Sequence, residues 1–201
     1  MPLRTDVFAL RTILTLSAVL LLVGCAAAPS DEGEQTAVES LPTGAPASPN
    51  DADRTFLGGM IPHHEGALEM AALVTARTER SELTAFAAAI IAAQEAEIER
   101  MRSLLGPQGA ASSPAHGGMD SMGMEPMDPG QMMQLTELEG EAFEQMFLAM
   151  MIGHHQVAVS AAEQVLEEGE DGDVATLATE IRDGQAAEIE QMQQWQDQWF
   201  D

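Results

Sequence analysis

Four of the five histidines in this sequence form two adjacent pairs, and each pair follows a methionine. The residues are Met60, His63 and His64 in one part of the chain and Met151, His154 and His155 in another. On a helix, each methionine lies one turn before the second histidine of its pair, so both side chains can reach one ion. Imidazole suits copper and zinc, whereas thioether sulfur selects Cu(I). The pattern therefore predicts a copper site, with Cu(I) the favoured ion.

Further candidate ligands and hydrogen-bond partners lie about 30 residues after each pair. Met101 and Met192 could add sulfur ligands from partner helices. Polar side chains beside them could orient the imidazoles: Gln94 and Glu97 in one segment, Gln185 and Glu188 in the other. A purely structural alternative fits the same pattern. In it, Gln94 and Gln185 hydrogen-bond His64 and His155 within a polar layer of the core.

A third group of candidate ligands lies in a segment rich in glycine and proline. The candidate ligands are His116, Met119, Met122, Met124 and Met127, and with Met132 and Met133 nearby the segment holds six of the 14 methionines. A methionine in a flexible polar loop has no core to fill, so the cluster favours copper binding over compositional drift. The hypothesis is a separate, weaker capture site, with a plain linker as the alternative.

The elements that position these residues are duplicated. An offset of 91 residues relates Met60 to Met151, Ile90 to Ile181 and Met101 to Met192, among many other matches. Apolar residues recur at spacings of three and four, which predicts two helices in each repeat. Pro62 lies inside the first of these patterns, so that helix either begins near Pro62 or is kinked there.

Composition supports an all-α fold, because Ala, Glu, Gln, Leu and Met dominate and Tyr is absent. Neither hairpin can bury its apolar stripes alone, so we expect the two to pair as a four-helix bundle. The predicted domain covers residues 51–201, with repeat 1 at about 51–105, a Met-rich linker at 106–130 and repeat 2 at about 131–199.

The N-terminal segment predicts export and a lipid anchor. Arg4 and Arg11 precede an apolar run from Ile13 to Val23, and Leu22-Val23-Gly24-Cys25 resembles the bacterial lipobox. We expect a lipoprotein signal peptide over 1–24, acylation of Cys25 and a flexible tether over 25–50. The protein would then be held at a bacterial membrane by its lipid, outside the cytoplasm.

The formal net charge of −25 makes nucleic acid an unsuitable partner, because phosphate backbones repel an acidic surface. The same charge concentrates cations near the protein, although acidity also serves solubility. A metal ion is therefore the predicted partner.

The paired motifs resemble those of domain-of-unknown-function family 305. The resemblance is carried by Phe56–Ala67 and Phe147–His155, together with the second-helix patterns Gln94–Met101 and Gln185–Met192. It covers about residues 51–199. It implies a ferritin-like four-helix bundle in exported bacterial proteins, some of them linked to copper binding and resistance.

Three functions fit these sequence features. The first is copper binding for buffering, sequestration or tolerance, without catalysis and without an organic cofactor. The second is a ferritin-like di-metal oxidoreductase or storage protein, which requires Glu-x-x-His on two helices. Met60, Ile61, Met151 and Ile152 occupy the places of that glutamate. The third is a structural or interaction module whose polar histidine–methionine layer binds no metal.

Overall fold

The computed structural model describes residues 48–109, 123–124 and 127–200. These residues form five helices, which are α1 (Asp51–Arg77), α2 (Ser81–Gly109), α3 (Pro129–Glu137), α4 (Gly140–Glu168) and α5 (Gly172–Phe200). The all-α prediction is confirmed. Cys25, the signal peptide, most of the tether, His116, Met119 and Met122 lie outside the described residues. Within the described ranges, no helix has the length and apolarity needed to cross a bilayer.

The four long helices form two hairpins, α1 with α2 and α4 with α5, which pack on each other mainly through α1 and α4. The short turns are Thr78–Arg80 and Gly169–Asp171. Helices α2 and α5 make little contact with each other. The duplicated hairpins predicted from the sequence are therefore present, while the closer likeness to a ferritin bundle stays a prediction.

A buried carboxylate near the start of α1 joins α1 to the turn of the other hairpin. Asp53 Oδ2 accepts hydrogen bonds from the backbone N–H groups of Glu170 and Asp171, each at 3.1 Å. The same oxygen accepts the N–H of Asn50 at 2.9 Å, while the Asn50 side chain caps the Asp53 N–H. One side chain thus caps α1 and fixes the α4–α5 turn.

Glu144 of repeat 2 corresponds to Asp53 and makes the equivalent link. Its carboxylate accepts a hydrogen bond from Arg80 Nε at 2.7 Å and another from the Thr78 hydroxyl, both in the α1–α2 turn. Each inner helix is therefore tied at its start to the turn beyond the end of the other. The consequence is that α1 and α4 run antiparallel and cross near their centres, related by a pseudo-two-fold axis.

The apolar core consists of two clusters, one on each side of that crossing. The first cluster includes Phe56, Leu57, Met60, Ile98, Met101, Ala158, Ala162, Val174 and Ile181. The second cluster includes Ala67, Met70, Val74, Leu83, Ile90, Phe143, Phe147, Met151 and Met192. Along α1 and α4 the paired histidines fall between residues of the two clusters. Gln94 and Gln185 fall between them along α2 and α5.

Helix α1 begins at Asp51 and continues through Pro62, which excludes a start near that proline. Proline has no N–H to donate, so the Gly58 carbonyl one turn earlier loses its helical partner. Pro62 is exposed and Gly58 is half-exposed. Water can therefore satisfy the freed carbonyl, and the proline is tolerated.

The predicted linker, 106–130, contains helix at both of its ends. Helix α2 is interrupted at Gly106, whose φ of 64° favours glycine, and then continues to Gly109. Helix α3 was not predicted. It begins at Pro129 behind Asp128, whose side chain accepts the Gly130 N–H at 2.7 Å. Leu135 of α3 is completely buried in the second core cluster, which ties the end of the linker to the bundle.

Candidate metal centre

The crossing of α1 and α4 brings the two histidine pairs together. The rings of His63 and His154 stack with centroids 3.7 Å apart and planes inclined by 29°. His154 Nε2 donates a hydrogen bond to the His63 carbonyl oxygen at 2.8 Å. His64 and His155 lie beside this pair, with centroids 6.3 Å and 6.2 Å from their neighbours in sequence. All four imidazoles therefore occupy one level, which we call the histidine layer.

Each outer histidine of the layer is held by a glutamate of its own hairpin. His64 Nε2 lies 2.8 Å from Glu97 Oε2, and His155 Nε2 lies 2.7 Å from Glu188 Oε2. An ionised carboxylate only accepts, so the imidazole nitrogens donate. In the neutral imidazole, Nδ1 then carries the free lone pair. Carboxylate–histidine pairs of this kind orient metal-binding histidines in proteins.

The layer concentrates unpartnered polar atoms. Nine buried side-chain nitrogen and oxygen atoms of the described residues have no hydrogen-bond partner, and eight of them lie at this level. They are the Nδ1 atoms of His63, His64, His154 and His155 and the amide atoms of Gln94 and Gln185. Buried polar atoms normally find partners, so this concentration calls for an explanation such as an ion. The structural alternative in which Gln94 and Gln185 hydrogen-bond His64 and His155 is wrong, since Glu97 and Glu188 take that role.

Burial keeps the two stacked imidazoles neutral. It is the largest cause that lowers the pKa of His63 to about 2, with the neighbouring imidazoles adding to it. Burial likewise lowers the pKa of His154 to about 3, followed by the effect of His155 and His64. Because His154 Nε2 donates to a carbonyl, its Nδ1 carries a lone pair at neutral pH. Neutral imidazole with a free lone pair is the form that binds metal.

We expect the metal-free protein to lose stability as the pH falls below about 6.5. In the unfolded chain His63 and His154 take up protons near an ordinary pKa of about 6.5, whereas in the folded protein they stay neutral to about 3. The unfolded state then binds more protons, and each histidine costs about 2 kcal/mol at pH 5. Urea unfolding at pH 7 and pH 5 measures this difference.

The matched control for this pH dependence is a His63→Gln/His154→Gln variant. It retains all 33 acidic residues, so its own pH dependence reports their contribution. The variant should lose less stability than the wild type between the two pH values. Equal losses in the two proteins would contradict the assignment of neutral, buried imidazoles.

The predicted sulfur ligands lie on both sides of the layer. Met60 and Met101 are fully buried in the first core cluster, and Met151 and Met192 are fully buried in the second. In each repeat, the methionine of the first long helix therefore lies in the same core cluster as the methionine of the second. Met60 and Met151 remain one turn from His64 and His155, adjacent to the layer from opposite sides.

The two described methionines of the predicted loop site lie against the bundle. Met124 is fully buried in the first core cluster beside Met60 and Met101. Met127 packs against the second cluster, with its Cε 3.4 Å from the point that a Cβ on Gly66 would occupy. His154 Nε2 lies 3.6 Å from the same point. This end of the segment therefore lies against the bundle, with one methionine in each core cluster.

A pocket of about 490 Å³ opens beside His63 and His154. Four methionines line it, namely Met70, Met127, Met146 and Met150. Sequence reasoning missed three of them, since it followed the core-facing stripe through Met151. The sequence nevertheless indicates two of these methionines. Met146, Met150 and His154 are spaced four residues apart and therefore share a helix face.

The ligand types in the described residues favour a soft ion. No group of three or more His, Cys, Asp and Glu side chains there has the arrangement of a metal site. The chemistry that remains combines imidazole with thioether, since fully buried methionines flank the layer on both sides. Imidazole and thioether together suit Cu(I).

The chain is similar to a protein family and to several proteins of known structure. A family model described as Domain of unknown function (DUF305) matches residues 53–196. The chain is 32% identical to CopM in its Cu(I)-bound form, over 74% of this chain and 98% of CopM, with a TM-score of 0.63. It is 34% identical to the Cu(II)-bound form of CopM over 74% and 97% of the two chains, again with a TM-score of 0.63.

A DUF305 protein of Streptomyces coelicolor, predicted to be secreted, is 30% identical over 70% of this chain and 88% of its own, with a TM-score of 0.65. None of the curated protein sequences matches the chain significantly. The duplicated motifs and the helical fold are therefore those of a family with solved structures, some of which contain copper.

Proposed function

The chain belongs to the DUF305 family, and from its histidine layer we propose that it binds copper, as Cu(I), outside the cytoplasm. The observation that carries the proposal is the set of four buried Nδ1 atoms without partners, brought to one level by the crossing of α1 and α4. Copper bound to CopM, a relative about one-third identical, supports it.

In the proposed site, His64 and His155 are the principal nitrogen ligands. Their Nε2 atoms are held by Glu97 and Glu188, which directs each Nδ1 lone pair into the protein interior. Met60 and Met151 are the nearest thioethers along α1 and α4, with Met101 and Met192 opposite them. His63 and His154 complete the layer as supports for the outer pair.

The ligand set supports copper over zinc. Structural zinc sites use four His, Cys or carboxylate ligands in a tetrahedron. The described residues hold no cluster of three such groups, while thioethers bind Cu(I) well and zinc poorly. The protein would therefore buffer or sequester Cu(I), or pass it on, and so contribute to copper tolerance. We propose no catalytic activity for it.

The di-metal oxidoreductase or storage function has less support. Its carboxylate centre needs glutamates from several helices directed at a pair of ions. In this chain, Glu97 and Glu188 each bond one imidazole and are 22% and 24% exposed. They are therefore occupied as supports for histidine, at the edge of the layer.

Attachment to a membrane is a further part of the proposal. The lipobox-like sequence ending at Cys25 supports acylation of that cysteine, and the secretion predicted for the Streptomyces relative supports export. Replacing Cys25 with alanine should abolish lipid labelling and release the protein from the membrane. Equal membrane retention of this variant, together with no lipid labelling of the wild type, would count against the anchor.

Copper binding is tested by titrating the purified protein with Cu(I) under anaerobic conditions, in competition with a Cu(I)-specific chelator. We expect the protein to retain Cu(I) against the chelator, and an excess of Zn(II) not to displace it, because zinc cannot use the thioethers. Complete transfer of the copper to the chelator, or its displacement by Zn(II), would refute the proposal.

A further inference from the structure

The pocket beside the histidine layer has a composition that packing alone does not require. It lies between α1 and α4 where the chain enters α3, and it has two imidazoles and four thioethers in its wall, from His63, His154, Met70, Met127, Met146 and Met150. Met127, Met146 and Met150 are each partly exposed. Soft ligands are thus gathered in a cavity that ions can enter from solvent.

Three of the four pocket methionines have no methionine at the equivalent position of the other repeat. The residues of the other repeat that correspond to Met146, Met150 and Met70 are Thr55, Gly59 and Ala161. The two hairpins share the same core pattern, so packing alone does not require thioethers at these three positions. Met127, from outside the repeats, adds a fourth thioether to the same pocket.

Two observations connect the pocket with the buried layer. His63 lines the pocket, is only 6% exposed and has an Nδ1 without a partner. His154, stacked on it at 3.7 Å, lines the same pocket and belongs to the same layer.

We propose that this methionine-lined pocket is a second Cu(I) site, through which the ion reaches the histidine layer by way of His63 and His154. The claim that the ion moves on to the histidine layer rests on the proposed function, whereas the claim that the pocket binds Cu(I) does not. The thioethers take the ion at the surface as Cu(I), and the stacked imidazoles carry it inward without a change of oxidation state. The pocket is open to water, so its site is the weaker and faster of the two.

The test is a Met127→Leu/Met146→Leu/Met150→Leu variant of the full chain, with a Met132→Leu/Met133→Leu variant as the control. Leucine conserves volume and removes sulfur, so such exchanges disturb a core little. Met132 and Met133 lie on α3 outside the pocket wall, and Met133 is 64% exposed. Cu(I) is titrated anaerobically against competing chelators, and the rate at which the tight site fills is followed by rapid mixing.

The triple variant should lose the weaker Cu(I) equivalent and fill its tight site more slowly, with the affinity of that site unchanged. The control variant should match the wild type. Equal stoichiometry and rate in the triple and control variants would overturn the proposal, and so would loss of the tight site from the triple variant.

Two further variants separate this proposal from the proposed function. A His64→Leu/His155→Leu variant should lose the tight equivalent and keep the weaker one, and loss of both would show that the pocket is not an independent site. Met127→Leu alone changes a residue outside the helices, so it tests the pocket even if the triple variant does not fold. It should weaken the second site relative to the control.

Discussion

Replacing His64 and His155 together with leucine is expected to weaken Cu(I) binding at the tight site by more than about 100-fold. Loss of a residue that only orients a metal ligand costs about 10–100-fold in affinity, and loss of the ligand itself costs more. Both imidazoles are fully buried, and water cannot easily replace them. Anaerobic competition titration measures the change, and unchanged affinity would return both residues to a structural role.

The helices of this variant should remain folded. Leucine fills a similar volume, and its introduction removes two buried Nδ1 atoms that lack partners. Glu97 and Glu188 lose a hydrogen-bond donor, but both are partly exposed and can be hydrated. One equivalent of copper should therefore raise the Tm of the wild type by mass action and raise that of the variant much less.

A graded control uses the glutamates behind the histidines. Glu97→Gln together with Glu188→Gln keeps an oxygen that can accept the Nε2–H but removes the negative charge that strengthens the bond. Affinity for Cu(I) should fall by about 10–100-fold, which is less than in the histidine variant. An effect as large as that of the double leucine variant would mean that the glutamates themselves bind the ion.

The second large effect concerns stability. Asp53→Ala is expected to lower the free energy of unfolding by about 3 kcal/mol, because three backbone N–H groups lose the oxygen that accepts them. These groups belong to the cap of α1 and to the α4–α5 turn. The link that fixes the antiparallel crossing, and with it the histidine layer, should weaken. Urea unfolding of the metal-free protein measures the loss.

Asp53→Asn is the matched control for this change. One oxygen, Oδ2, accepts all three hydrogen bonds, so an asparagine with its carbonyl oxygen there retains them as neutral bonds. The amide nitrogen then takes the place of Oδ1, which has no partner. The loss should be clearly smaller than for alanine. If the alanine variant were as stable as the wild type, this link would not hold the hairpins in place.

Much of this fold follows from sequence patterns. The constant offset between the repeats predicted two equivalent hairpins, because duplicated apolar stripes must fold alike. Met60 and Met151 were placed one turn before His64 and His155 by helical periodicity alone. The stacking of His63 on His154 could not be predicted in this way, since it depends on how α1 and α4 cross. That crossing is set by Asp53 and Glu144, which bind turns distant in the sequence.

The supports of the site were harder to predict than the histidines. Glutamine and glutamate three residues apart are neighbours on one helix face, so periodicity left Gln94 and Glu97 equally suited to His64. The structure selects Glu97, at the edge of the layer. Helix α3 was missed because glycine and proline dominate its surroundings, although Asp128-Pro129 is a good helix start. No pattern in the residues near Met124 predicts that its side chain is buried.

The measurement that tests copper binding in the histidine layer most directly is X-ray absorption at the copper edge, on protein loaded with one equivalent of Cu(I). The spectrum should contain scattering from imidazole together with scattering from thioether sulfur, and the imidazole contribution should decrease when His64 and His155 are replaced by leucine. A site that contains sulfur but no imidazole in the wild type would contradict the account, because the methionines alone would then hold the copper.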